Sequence, residues 1–544
     1  WADRWEDTLD RLHLIKTALA EGVSTALAID SSVVKAAQVG DPETRNPRAY
    51  EYYLRGKYTF EHRHSSSDVR IASDLYDQAL KLEPNLLAAR EGVAEILVLE
   101  GQYEQANQVL LSALVEARQR GQQADEARTL RLLAQCFIAQ SLWAEADSYA
   151  QAAVQISQEL GDLAGEAAAL GELIETRQRR AMFDEALKLS ERVLSINRQL
   201  NDRDKEAEAL NLIGNVHVHK GDCHKAMTLY REALAIAKDR DQTSVKASSI
   251  GNIGTAYYYL GDFEKALSQY EESLQMFSDL GESMKKAAVA HNMAGIHLSR
   301  GAYHKALELY DSTYTVYLKY RERARCAATT NNIAHVLTIL GQYDKAISKL
   351  EEVLEETANM GYPLVMALAR SNLGFAYYCQ GKDSQAAQEL QTAVEVAEKA
   401  GLRRVLAIAL SYLGEMHYMT GRRELSYKHF QKSLTLAEAV GDKQTCLMSR
   451  AYLATKSISP EDSQACFHRQ REIVSDAERF GDPRLILVAE RLLAECLIHY
   501  GESPSDRQEG LTILSEALSY AQDKEIVFEV ERIRSALQRA SSAD

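Results

Sequence analysis

Apolar and small residues recur along this chain at helical spacing, and no run alternates with the period of a strand. Around residues 243–280 the positions Ala247, Ile250, Ile253, Gly254 and Tyr257 fall on one face of a helix. A short polar break, Gly261–Asp262, separates that stripe from a second one in the following residues. The same pattern returns every forty residues. Glycine occupies 101, 221, 261, 301, 341, 381, 421 and 501. Alanine occupies 106, 146, 186, 226, 266, 306, 346 and 386, and a second alanine column runs through 127, 167, 207, 247, 287, 327, 367 and 407. A third column holds Ala94, Ala134, Gly214, Gly254, Ala294, Ala334, Gly374, Gly414, Ala454 and Ala494, with Ile174 as its exception.

Each forty-residue repeat is therefore expected to hold two helices, over about columns 3–19 and 22–38 of the grid. Glycine between them supplies the left-handed conformation that ends a helix at low steric cost. The small columns let helices approach closely. One such pair cannot bury its apolar face alone, so the copies must stack, each touching only its neighbours. The seven prolines fall where a helix can start or stop; Pro363 and Pro483 each follow a glycine by two residues, where a first helical turn tolerates them.

IGTAYYYLGDFEKALSQYEESL carries a family resemblance. The small residue Gly254 after Ile253, then Tyr257, Gly261, Phe263 and Ala266, resemble the marks of the tetratricopeptide repeat. The resemblance runs over about residues 47–520, some twelve repeats, and is weaker over 441–480 and 481–520, where EDSQAC replaces one glycine turn. The forty-residue length is similar to the repeats of kinesin light chains and spindle-orientation scaffolds. It implies an all-α fold, a right-handed superhelical α-solenoid. The organisation expected is a helical cap or linker over 1–40, the solenoid over 41–520, and a capping helix and tail over 521–544.

The resemblance also implies where a partner would bind, on the stripe of each first helix that lines the concave groove. Column 12 of the grid gives Asn252, Asn292, Asn332 and Asn372. An amide both donates and accepts, so a ladder of four is expected to grip the backbone of a bound segment. The same stripe holds Asn211, Asn215, Tyr258, Tyr259, His291, Asn331, His335, Phe375, Tyr378, Tyr412 and Tyr418, with His219 beside them. Tyrosine offers large contact area at low entropic cost. The rival reading is that the asparagines only bond to neighbouring helices. In the earlier repeats Arg128, Arg131 and Arg179 alternate with Glu172 and Glu175, which reads either as a charged entrance or, more simply, as an ordinary solvated face.

Composition narrows the partners. With 63 Lys and Arg against 78 Asp and Glu the chain carries a formal charge of −15, which repels nucleic acid and anionic lipid at long range. Local basic patches remain, such as Arg403–Arg404 with Arg422–Arg423. Seven cysteines without a CxxC pair read as free thiols of a reducing cytoplasm rather than a disulfide framework. HVHKGDCH, residues 217–224, has metal-ligand residue types, but His217 and Cys223 stand in packing columns and His219 in the groove. No metal, cofactor or catalytic residue is expected. The glycines of 251–261 belong to repeat columns, and a phosphate loop would need a strand before them and Lys-Ser/Thr after them.

The expected function is non-catalytic: a scaffold or sensing arm that binds a peptide segment or partner protein in its groove. The chain opens WADRWEDTLD, without methionine, and is expected to be a fragment. NPRAYEYYLRGKYTF, residues 46–60, is similar to segments of bacterial multidomain signalling proteins in which a kinase, cyclase or winged-helix domain precedes a helical array. That resemblance gives the second reading, a regulatory segment whose effector lies upstream. A sensor of a small molecule or metal is the third.

Overall fold

The computed structural model describes residues 46–61, 66–140, 142–240, 243–320, 322–358, 362–456 and 463–541. They form 25 helices and no strand. The cap expected over 1–40 lies outside the described residues. The helix pairs follow the grid: Thr243–Tyr259 with Phe263–Asp279, Ser283–Ser299 with Tyr303–Lys319, Arg403–Met419 with Arg423–Ala439. In most repeats the first helices run over columns 3–19 as expected and the second begin one residue later than expected; Leu87–Leu99 starts late and Lys443–Leu453 ends early. Pro363 and Pro483 stand in the first turns of their helices. A single helix, Pro504–Asp523, spans the expected boundary at 520, and Val527–Ser541 follows it. No described helix is long and apolar enough to cross a membrane.

The small columns have a direct cause. A Cβ on Gly254 would lie 2.9 Å from the ring of Tyr270, which fills the gap from the second helix of the same repeat and is 1% exposed. The alanines at 106 through 386 in the first alanine column are all fully buried. Aromatic bulk on one helix is thus matched by the absence of bulk on the other, the complementarity that close packing demands.

The chain divides into two compact bodies, Trp1–Leu173 and Ile174–Asp544. In the first, Leu110, Leu130, Leu133 and Cys136 form a core. Its polar stripe is paired: Arg128 donates to Glu91 at 2.6 Å, and Gln135 and Arg131 donate to Glu172 at 2.6 and 3.3 Å.

The second body departs from the expectation of contacts between neighbours only. His304 meets Glu525 across 221 residues, about five and a half repeats. The rings of Phe263 and Phe480 touch edge-on at 5.2 Å, those of Phe375 and Phe528 at 5.4 Å. Gly221 lies against Val440. The superhelix therefore closes on itself: after one turn, later repeats sit on the inter-helix turns of earlier ones. Small rotations between successive repeats accumulate to this closure, and no single repeat specifies it.

A buried ion network locks the returning segment. Glu415, 1% exposed, accepts from Arg484 at 2.6 Å and from Arg532 at 2.5 Å, partners 69 and 117 residues further on. Arg532 also donates to Glu529 at 2.9 Å, and Arg491, fully buried, donates to the Tyr452 hydroxyl at 3.2 Å. Burial opposes the charge of Glu415, but Arg484, Arg532 and Arg491 outweigh it and hold its carboxyl below the usual range.

Candidate functional site

Closure of the second body encloses a central cavity of about 480 Å³. First helices of successive repeats supply its wall, because each presents the same stripe toward the superhelix axis. Helix Thr243–Tyr259 brings Tyr258 and Tyr259, Ser283–Ser299 brings His291, and Arg323–Ile339 brings Asn331, Asn332 and His335. Pro363–Cys379 adds Asn372, and Arg403–Met419 adds Tyr412. Eight of the fifteen groove residues expected from sequence thus share one surface.

The other seven lie elsewhere, for identifiable reasons. Asn252 and Asn292 line a separate furrow of about 190 Å³ with Thr255 and Arg325. Asn211 donates to Ser249 at 2.9 Å, and Asn215 accepts from the Tyr230 hydroxyl at 2.7 Å. Phe375, Tyr378 and Tyr418 are covered by their own chain: Phe375 by Phe528 and Arg484, Tyr378 by Arg532, Tyr418 by Tyr452 and Arg423. For Phe375 and Tyr378 the partner is the returning superhelical turn; Tyr418 is covered by its own repeat and the next.

The asparagine ladder is a seam between repeats. Asn252 donates to Asn211 at 3.2 Å, Asn372 to Asn331 at 3.0 Å, and Asn292 to Thr255 at 3.4 Å, each in the preceding repeat. Asn332 lies 3.2 Å from His291 Nε2 in the same manner. One N–H of each amide holds one first helix to the next, which also accounts for their repetition, and each amide has a second N–H.

Desolvation pushes the imidazoles of His291 and His335 down to about 4, helped by the guanidiniums of Arg325 and Arg484 respectively. Both are neutral at pH 7, and His335 Nδ1 is buried without a partner. Burial pushes the Asp482 carboxyl up to about 6, against the backbone N–H of Leu485 and the charge of Arg484. The histidines make acid destabilising. Between about 4 and 6.5 the unfolded chain takes up a proton on His335 that the folded chain does not, so stability falls as pH drops through that window. A His335→Gln variant is expected to lose less stability than the parent between pH 7 and 5, measured by denaturant unfolding. Asp482 works in the opposite direction in both proteins and cancels in the comparison. Equal losses would contradict the desolvated imidazole.

Sequence reasoning passed over part of the wall. Phe183, Phe480, Asp482 and Arg484 line the cavity, yet they lie at helix ends, Phe480 closing one helix and the other three opening theirs, outside the stripe that repeat geometry marks. Arg404, noted only as part of a basic patch, joins them and sits 3.9 Å above the ring of Tyr259. His219, on the stripe, stacks on Phe183 at 5.3 Å. Cys223 is buried and shares Arg404 as a neighbour with His219, while His217 stands apart and approaches Asp222 at 3.3 Å.

An all-helical array of forty-residue helix pairs around a central cavity defines an α-helical repeat solenoid. Residues 165–239, 245–319 and 325–399 match the family model of the tetratricopeptide repeat, and that stretch is built of such repeats. In the general sense that this class carries, it is a protein–protein interaction scaffold. No curated protein matches the chain. Among solved structures it is similar to a Rap protein complexed with competence and sporulation factor, at 16% identity over 70% of this chain and 99% of that one, with a TM-score of 0.45. It is similar to yeast Tom70 at 15% identity over 90% and 96% of the two chains, TM-score 0.36. A signal transduction ATPase with numerous domains and a tetratricopeptide repeat sensor, from Pyrococcus horikoshii, aligns at 17% identity over 67% of this chain and 55% of that one, TM-score 0.32.

Proposed function

We propose that the second body binds a short segment of a partner protein in its central cavity and performs no chemistry on it. The observation that carries this reading is the wall itself: Tyr258, Tyr259 and Tyr412 offer aromatic faces, Asn331, Asn332 and Asn372 offer amides, and Leu364, Leu368 and Ile408 lie between them. Apolar area with a few placed polar groups is the usual make-up of a ligand site. A volume of about 480 Å³ admits a short segment and not a folded domain. The same volume falls within the range of about 300–1,000 Å³ typical of small-molecule pockets, which favours a small-molecule sensor as the second reading.

The test is selection of peptides from a displayed library on the intact chain, followed by affinity measurement on Ala328→Trp, a substitution in the cavity wall. The indole occupies the space a segment would need. Selected peptides are expected to bind this variant about tenfold more weakly or worse, with the melting temperature of the protein held. Unchanged affinity would remove the cavity as the binding site.

A further inference from the structure

We propose that the central cavity takes an anionic group, a carboxylate or a phosphate, on the guanidinium of Arg404, carried by a ligand whose remainder is apolar or aromatic. The inference rests on the reading of the cavity as a binding site and gives that site its chemistry.

The chain as a whole is acidic, at −15, yet the charged side chains of the cavity wall run the other way: Arg403, Arg404, Lys443 and Arg484 against Asp442 and Asp482. Both acids are occupied at helix starts. Asp442 accepts from Thr445 N at 3.1 Å and from its hydroxyl at 3.0 Å. Asp482 accepts from Leu485 N at 3.0 Å and from Gln444 at 2.6 Å. Arg484 has Glu415 as its counter-charge at 2.6 Å.

Arg404 has none. It donates Nη2 to the Val440 carbonyl at 3.1 Å and stacks on Tyr259, while its Nε is buried without a partner. Among the described residues no carboxylate forms an ion pair with it. A guanidinium carries five N–H donors in a rigid fork, and the partners met here, the Val440 carbonyl and the Cys223 side chain, are no carboxylates. The stack and the carbonyl bond fix the plane in advance, so little rotamer freedom is left to lose on binding. A half-buried, immobilised and unanswered cation is costly to the protein, and an anion that reaches it gains charge-assisted hydrogen bonds. The adjacent His219 is neutral, because burial, with Arg404 beside it, holds its imidazole down at about 4, so the positive charge at this point is that of Arg404. Tyr258, Tyr259 and Phe263 line the cavity around this point and give the apolar part of the ligand its surface.

The experiment uses the full chain and three small probes of one shape: benzoate, phenyl phosphate and the neutral benzamide. Calorimetric titration is expected to show saturable binding of benzoate or phenyl phosphate at millimolar concentration, weakened by added sodium chloride, with benzamide bound far more weakly. The tighter of the two anions identifies the carboxylate or the phosphate. Arg404→Met is expected to lose about tenfold or more of the anion affinity, the worth of one charge-assisted hydrogen bond, and Arg404→Lys to lose less, keeping the charge without the fork. The lysine variant keeps the test open should the methionine variant fold poorly. Benzamide binding as well as benzoate, anion affinity unchanged in both variants, or no binding of either anion would each overturn the proposal. Selected peptides that bind the cavity equally well with every anionic group neutralised would overturn this inference and leave the segment-binding reading intact. Anion binding without any selected peptide would support it and remove that reading.

Discussion

Replacing Glu415 with alanine will destabilise the second body by about 3–5 kcal/mol, the range for breaking a buried ion pair by removing one partner. Glu415 sits 1% exposed between Arg484 and Arg532. With the carboxylate gone, Arg532 still has Glu529 at 2.9 Å, but Arg484 has no ion-pair partner among the described residues. Its desolvation is then uncompensated, and it stays 8% exposed among Phe375, Tyr412 and Phe528. Chemical denaturation should show a lower midpoint. Glu415→Gln should behave much the same, because the shape is kept and the charge lost. A double replacement, Glu415→Met with Arg484→Met, should recover much of the loss, since an apolar pair of similar volume carries no desolvation penalty. A single variant as stable as the parent would mean that the network does not hold the returning turn.

Gly221→Ala is expected to cost more than the same change at Gly381, and the difference measures the closure of the superhelix. Both glycines end a helix at positive φ, +91° and +81°, so each substitution carries a backbone penalty of about 1–2 kcal/mol. A Cβ at Gly381 meets nothing within 4 Å, whereas one at Gly221 would stand 2.5 Å from the Cα of Val440. Main chain cannot step aside as a flexible side chain can, so overpacking should add about 1–3 kcal/mol at Gly221 alone. Thermal or denaturant unfolding of the two variants, run side by side, gives the comparison. Equal costs would contradict contact between successive superhelical turns.

The local architecture was legible because each of its causes lies within one repeat. The glycine and alanine columns record where a helix ends and where Tyr270 and its counterparts press on a facing helix. The closure was not legible. It depends on the rotation from each repeat to the next, and the residues that meet, such as His304 and Glu525, share no column. The candidate site divides along the same line. Tyr258, His335 and Asn372 each follow from the stripe of their own helix, while Phe480 and Arg484 arrive from the next turn, Phe480 against Phe263 and Arg484 over Phe375. The asparagine ladder had two readings in the sequence, and only the positions of Asn211, Thr255, His291 and Asn331 in the preceding repeats give its donors their partners.

Methyl NMR of the methionines tests the central claim, that a partner segment is held inside the second body, most directly. Met448 lines the cavity, and Met227 packs in a core with Tyr230 and Ile253 away from it. On titration with a peptide selected on the intact chain, the Met448 methyl signal is expected to shift and saturate with the binding isotherm while that of Met227 stays in place. Saturable binding that leaves Met448 unmoved would contradict the account.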